Sequence, residues 1–142
     1  MIHFKEIFLA VLGAIGGFIA TAFGGFDAGL IALMTFMGID YFSGFILAAV
    51  FHKSKKSENG SLESGAGFKG LVKKCMYLVF VLIAVQLDAV IGTHFVRDAV
   101  IIAFISNELI SIIENAGMMG IPIPIVLTKA IDVLNKKGKG EK

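Results

Sequence analysis

One cysteine, two prolines and a low share of charge are what this chain of 142 residues has little of, and each scarcity excludes something. With Cys75 alone, no intrachain disulfide can form, and cysteine usage leaves the redox compartment open. At the end of an apolar stretch, that thiol reads as a small apolar residue. The two prolines, Pro122 and Pro124, stand two residues apart, so no proline interrupts the chain before them. Charged residues are 17% of the chain against 56% hydrophobic, with a mean hydropathy of +0.85. So little polar surface cannot clothe a soluble domain of this size, and the chain reads as an integral membrane protein. Long apolar stretches of about 20 residues each use nearly all of it, which leaves no room for a soluble catalytic domain.

The predicted fold is all-α: a polytopic helical bundle forming one membrane domain, with four spans near 7–26, 28–51, 73–91 and 98–115. A loop over 52–70 and a short amphipathic helix with a basic tail over 123–142 complete it. The first apolar run, from Ile7 to Phe26, exceeds the roughly 7 to 15 residues of a secretory signal core, so it is expected to stay as a helix. It carries Gly13, Gly17, Thr21 and Gly25 at a spacing of four. Such a small-residue face lets another helix approach closely in lipid, and these four residues are the candidates for helix packing and self-association.

Asp40 stands near the middle of the second span, where a lone carboxylate would cost roughly 2.5 to 3.5 kcal/mol. It must therefore be neutralised, paired, or turned toward water or another helix. The polar, Gly/Ser-rich segment from His52 to Gly67 reads as a flexible loop. Its lysines, with Lys69, Lys73 and Lys74 at the start of the next helix, read as membrane-flanking charges and not as a nucleic-acid patch. Gln86 and Asp88 near the end of the third span point about 200° apart and cannot serve one site together.

Twelve of the 13 basic residues fall on one side of a four-span arrangement and only Arg97 on the other. By the positive-inside rule both termini and the central loop are expected to be cytoplasmic. Arg97 is expected to pair locally with Asp98 or Asp88.

The most informative stretch is Asn107 to Pro124, NELISIIENAGMMGIPIP. Taking Asn107 as zero, Ser111, Asn115 and Glu108 lie within about 100° on one side, and Glu114 about 20° on the other. Asn107, Glu108, Ser111, Glu114 and Asn115, with Asp40, are the candidates for lining or gating a path, glue between helices being the plainer role. Ile102, Ile105, Leu109, Ile112 and Ile113 face the other way. In a single copy the polar stripe would need Asp40 or Gln86 as partners. Gly117, Gly120 and the prolines stop the helix. From Ile125 to Asn135 an amphipathic helix follows, lying on the inner leaflet or on its own bundle, and then a basic tail attracted to anionic lipid.

GIDYFSG at Gly38–Gly44, GFKGLVKK at Gly67–Lys74, LDAVIG at Leu87–Gly92 and the Asn107–Pro124 block together resemble the phage holin family that includes clostridial toxin-secretion holins. The last block is the most specific, and the resemblance runs from Gly38 to about Leu134. It implies a small multispanning protein of the bacterial cytoplasmic membrane that self-associates and releases an endolysin, or a large toxin, through a lesion. An antiholin partner is possible in such systems; no catalysis, cofactor or nucleic acid is implied. The alternative is a small ion channel or proton-coupled transporter, using Asp40 and Glu108, which lacks support from any inverted repeat. A haem-bearing anchor is disfavoured because His3, His52 and His94 all sit at span ends.

Overall fold

The computed structural model describes residues 2–139 as five helices: α1 Ile2–Ala22, α2 Ala28–Ala49, α3 Ser64–Ile91, α4 Phe95–Met118 and α5 Ile125–Gly138. The last three residues of the expected basic tail lie outside the described residues. α1, α2 and α3 are long and apolar enough to cross a membrane, and α4 is not counted with them, so the expectation of four apolar spans is corrected to three. The reason lies in the side chains of α4. Arg97 and Asp98 open it, and Asn107, Glu108, Glu114 and Asn115 interrupt its apolar residues. It enters the fold as a packed partner of α2 and α3, with its widest contact along α2.

Each helix boundary has a local cause. α1 stops at Ala22, earlier than its apolar run, because Gly24 and Gly25 take left-handed backbone at φ 76° and 98°, which costs glycine nothing. α2 starts where the Asp27 carboxylate accepts from the Leu30 amide at 3.0 Å, satisfying one of the amides a helix start leaves free. α3 ends in Gly92 at φ 79°, and both Gly92 and Thr93 amides bond back to the Asp88 carbonyl. α4 closes likewise, with Gly120 left-handed and the Ile121 amide on the Ala116 carbonyl at 3.0 Å, the backbone pattern that favours glycine past a helix end.

The central segment is shorter and more ordered than its composition predicts. α3 begins at Ser64, so the end of the polar segment is helical. Its first turns lie against α2, where a Cβ on Gly67 would stand in contact with the Tyr41 hydroxyl at 3.4 Å. The remaining turn is tied by the Ser54 amide on the Gly60 carbonyl and by Ser57 Oγ on the Ser61 carbonyl.

The core runs down the seam of α2, α3 and α4: Leu30, Leu33 and Met37, then Val81, then Ile101 and Ile105, flanked by Phe23, Tyr77, Phe104 and Leu134. Among membrane helices such a seam gains mainly dispersion contacts, since lipid is as apolar as leucine. α1 takes no part: no residue between His3 and Ala22 is buried. α5 folds back along α4, burying Ile131 and resting Leu134 on the core. Of the two placements expected for it, the structure has the one on its own bundle.

Candidate functional site

The seam has period-seven positions, and several of them are charged. On α2 the buried residues Leu33, Met37, Asp40 and Leu47 keep the three-and-four spacing of an inward stripe; on α3 Lys74, Val81 and Asp88 fall seven apart; on α4 Ile101, Ile105, Glu108 and Asn115 continue the pattern. Helices packed along such stripes bring equal levels together. Asp40, Lys74 and Glu108 meet in this way at the middle of the bundle.

Lys74 Nζ stands 2.7 Å from Asp40 Oδ2 and 2.5 Å from Glu108 Oε2. Asp40 and Glu108 are each 3% exposed and Lys74 9%. Asn115 Nδ2 donates to Asp40 Oδ1 at 3.3 Å and to Ser43 Oγ at 2.9 Å, and Ser43 Oγ donates to the Asp40 carbonyl at 3.0 Å. One ammonium thus serves two carboxylates, with an amide and a hydroxyl filling further sites on Asp40. Charges taken out of water are tolerable when paired and hydrogen-bonded in this manner, though the Coulombic gain is largely offset by lost hydration. No cluster of three or more His, Cys, Asp or Glu suited to a metal occurs among the described residues.

The fold splits the polar stripe of α4. Glu108 and Asn115 turn inward to the cluster and Ser111 is half-buried, whereas Asn107 and Glu114 are exposed. Asn107 Nδ2 donates to the Tyr77 hydroxyl at 2.7 Å. Of the two partners expected for the stripe, Asp40 is used; Gln86 is exposed on the outer side of α3. The isoleucine side packs within the chain, with Ile105 buried and Leu109 against the core. Lys74 was not among the sequence candidates, because its place beside Lys73 suggested a flanking charge. Its seven-residue spacing to Val81 and Asp88 is the signal that identifies it.

A second polar cluster closes the opposite end of the bundle. The Arg97 guanidinium donates from Nε to the Phe23 carbonyl at 2.6 Å, from Nη2 to the Gly25 carbonyl at 3.0 Å, and from both terminal nitrogens to Asp27 at 2.7 and 3.1 Å. This bidentate fork is a geometry that lysine cannot reproduce. Its hydrogen bonds hold the Asp27 carboxyl below the usual carboxylate range. The local pair expected for Arg97 is present with Asp98, Nη1 donating to Oδ1 at 3.5 Å, but it is secondary to the shorter fork on Asp27. Asp88 accepts instead from the Val96 and Arg97 amides at 3.0 and 2.9 Å, and from the Thr93 hydroxyl at 2.7 Å. It thereby caps α4 from the preceding helix.

The small-residue face of α1 is open. A Cβ at Gly13, Gly16 or Gly17 would meet nothing within 4 Å, and Thr21 Oγ1 donates to the Gly17 carbonyl at 2.8 Å. Gly25 departs from that face, since it lies in the turn beyond α1 and is held by Arg97.

The profile of the bacteriophage holin family matches residues 17–136. An uncharacterised protein of Listeria innocua is 39% identical over 130 residues, covering 91% of this chain and 85% of its own. An uncharacterised 14.9 kDa protein of Clostridium perfringens is 38% identical over 126 residues, covering 87% and 89%. A probable holin of Bacillus phage phi105 is 30% identical over 97 residues, covering 68% and 66%. No solved structure matches the chain.

Proposed function

We propose that this chain, which belongs to the bacteriophage holin family, a family of membrane lysis proteins and not of enzymes, acts as a holin in the bacterial cytoplasmic membrane. It accumulates there as homo-oligomers and opens a lesion that releases a muralytic endolysin or, in a secretion system, a large toxin. The observation that carries this reading is the Lys74–Asp40–Glu108 cluster sealed inside an apolar bundle. A protein that must stay harmless in lipid and later become wet needs polar side chains satisfied within each copy. Those side chains must then find new partners, or water, as copies assemble. Asp40, Glu108, Ser111 and Asn115 are the groups that change from sealed to wet, with the exposed Asn107 and Glu114 beside them.

Self-association through Gly13, Gly17 and Thr21 is supported by the bare face of α1, because small residues allow the close backbone approach that joins helices in lipid. The orientation follows from charge. Lys53, Lys55, Lys56, Lys69 and Lys73 cluster at the bundle end where α2 finishes and α3 starts, and Arg97 stands at the other end. The lysine end is assigned to the cytoplasm, with Lys5 and the N-terminus on the same side once α1 crosses. α4 brings the chain back toward that end, so the C-terminal region is assigned there too.

The test is induction in bacteria that contain a cytoplasmic muralytic enzyme, with membrane potential followed alongside turbidity. Abrupt loss of potential followed by lysis is expected. An intact potential at high protein level would refute the reading, and a steady ion-selective current without lysis would replace it with a channel. Release of a large co-expressed toxin from cells that stay turbid would assign the cargo to the secretion class. Any antiholin would be recognised as a co-expressed protein that delays the onset.

A further inference from the structure

α5 lies where an amphipathic helix on a bilayer surface would not. It starts just beyond the lysine end of α4 and returns antiparallel to it, until a Cβ on Gly138 would stand 3.5 Å from the Ala103 Cβ. The level of Ala103 follows from α2. Ile101 packs on Gly29, and Glu108 meets Asp40 through Lys74, so Ala103 lies level with the stretch of α2 between Gly29 and Asp40. That stretch is inside the apolar span Ala28–Ala49. Thirteen residues of helix at 1.5 Å each carry α5 about 20 Å from Ile125 to Gly138, past the level of the Lys74 cluster.

Lys129, Asp132, Lys136 and Lys137 are exposed on this helix. At 100° per residue Lys129, Asp132 and Lys136 lie about opposite to Ile131, Leu134 and Gly138, which face α4 and the core. Facing lipid at that depth, such charges are costly and rare. Facing water, they are ordinary. The exposed residues of α4 on this side include the polar Asn107 and Glu114 beside Ala103 and Ile110, whereas the outer side of α3 presents Val79, Ile83, Leu87 and Val90, with Gln86 as the one polar residue among them.

From this placement we infer that the α4–α5 hairpin is the water-facing wall of the assembled protein, with Lys129, Asp132 and Lys136 lining the aqueous path at membrane depth. The inference rests on the holin reading only in taking the copies to enclose water. It makes the lumen wall a helix beyond the proline stop as well as the polar stripe of α4. The exposed apolar pair Val126 and Val133, seven residues apart on the flank of α5, then meets the adjoining copy or lipid, while the exposed Ile125 stands at the mouth of the path, where the helix begins.

The experiment uses full-length protein in native membranes with Cys75 replaced by serine. A103C with G138C is oxidised to test the hairpin, since the intervening distance suits a disulfide. Separately, K136C, D132C and I83C are exposed to a charged, membrane-impermeant thiol reagent after lysis onset. Loss of free thiol in the double variant, with labelling at Lys136 and Asp132 and none at Ile83, is expected. Failure of the disulfide while lysis proceeds would overturn the hairpin and leave the holin reading intact. A disulfide with Lys136 and Asp132 unlabelled would overturn the wet wall. If the chain causes no lysis, the holin reading fails, and the disulfide together with labelling in non-lysed, permeabilised membranes still decides whether this face meets water.

Discussion

Lys74 offers the sharpest perturbation, because one ammonium balances two carboxylates. The formal charge of the cluster is one positive against two negative, Lys74 against Asp40 and Glu108. Lys74→Met keeps the length of the stem but leaves both carboxylates buried together without their cation. Removing one partner of a buried pair costs about 3 to 5 kcal/mol, and here two pairs lose the same partner, so the upper end of that range applies. Glu108→Gln has the opposite balance: it removes the excess negative charge, keeps a hydrogen-bonding oxygen for Lys74 and leaves the Lys74–Asp40 pair intact. Its cost is expected to stay within about 1.5 kcal/mol, the size of an ordinary hydrogen bond. Asp40→Asn falls between them, since Asp40 also accepts from Asn115. The assay is thermal loss of the monodisperse peak in detergent, with Lys74→Met melting lowest and Glu108→Gln near the parent protein. In cells, Glu108→Gln should still shift lysis timing, because the sealed and wet states are stabilised to different extents by that carboxylate. A Lys74→Met protein as stable as the parent would refute the claim that this ammonium seals the bundle.

The other predictions concern the ends and faces of the fold. Gly17→Leu should fold, because nothing lies within 4 Å of its Cβ, and should lower the crosslinked oligomer fraction; an unchanged distribution removes the α1 face from the assembly. Arg97→Lys should loosen the α1–α2 turn, since a lysine cannot reach Phe23, Gly25 and both Asp27 oxygens at once; faster hydrogen exchange over 23–30 is the readout. The Asp27 carboxyl is lowered on folding by its hydrogen bonds to Arg97, so its contribution is fully present above the unfolded value of about 3.9 and is lost as pH falls through the lower folded value. Exchange at the same turn, corrected for intrinsic rate, should rise over that acid window in the parent protein, and Asp27→Asn should remove the transition. Gly60→Ala should destabilise the central turn by about 1 to 3 kcal/mol, because Gly60 has φ 76° and a Cβ there would collide with the His52 carbonyl oxygen. Unchanged melting would show that the turn is not held in this form.

Much of the fold was legible because composition and period act locally. The apolar lengths of α1, α2 and α3 follow from counting, and the hard stop after α4 follows from Gly117, Gly120, Pro122 and Pro124. What did not follow were features set by a distant partner. The first turns of α3 lie by Gly67 and Gly70 against Tyr41, and the Phe23 and Gly25 carbonyls beyond α1 are claimed by Arg97. No local propensity carries that information. The expectation of a fourth apolar span rested on the length of the run and gave its polar stripe a partner in Asp40, but the charges of α4 leave it outside the helices apolar enough to cross, and Glu108 is covered by α2 and α3.

The site was half legible for a related reason. Asp40 and Glu108 stood out, since a carboxylate in an apolar run always demands a partner. Lys74 did not, since lysines beside a span have an ordinary interfacial role that hides an inward one. The two roles differ only in phase: Lys73 and Lys74 are adjacent, but Lys74 alone keeps step with Val81 and Asp88 and is buried with them, while Lys73 is exposed. A demand for a cation was already present in Asp40, whose depth makes an unpaired charge costly. Searching each inward stripe for the opposite charge at the same level would have joined that demand to Lys74. The same rule assigns Arg97: on the stripe of Ile101, Ile105 and Glu108 it points inward, and it binds Asp27 across the bundle more closely than Asp98 next along the chain. In an apolar bundle, therefore, helical phase is a better guide than sequence proximity to which charges meet.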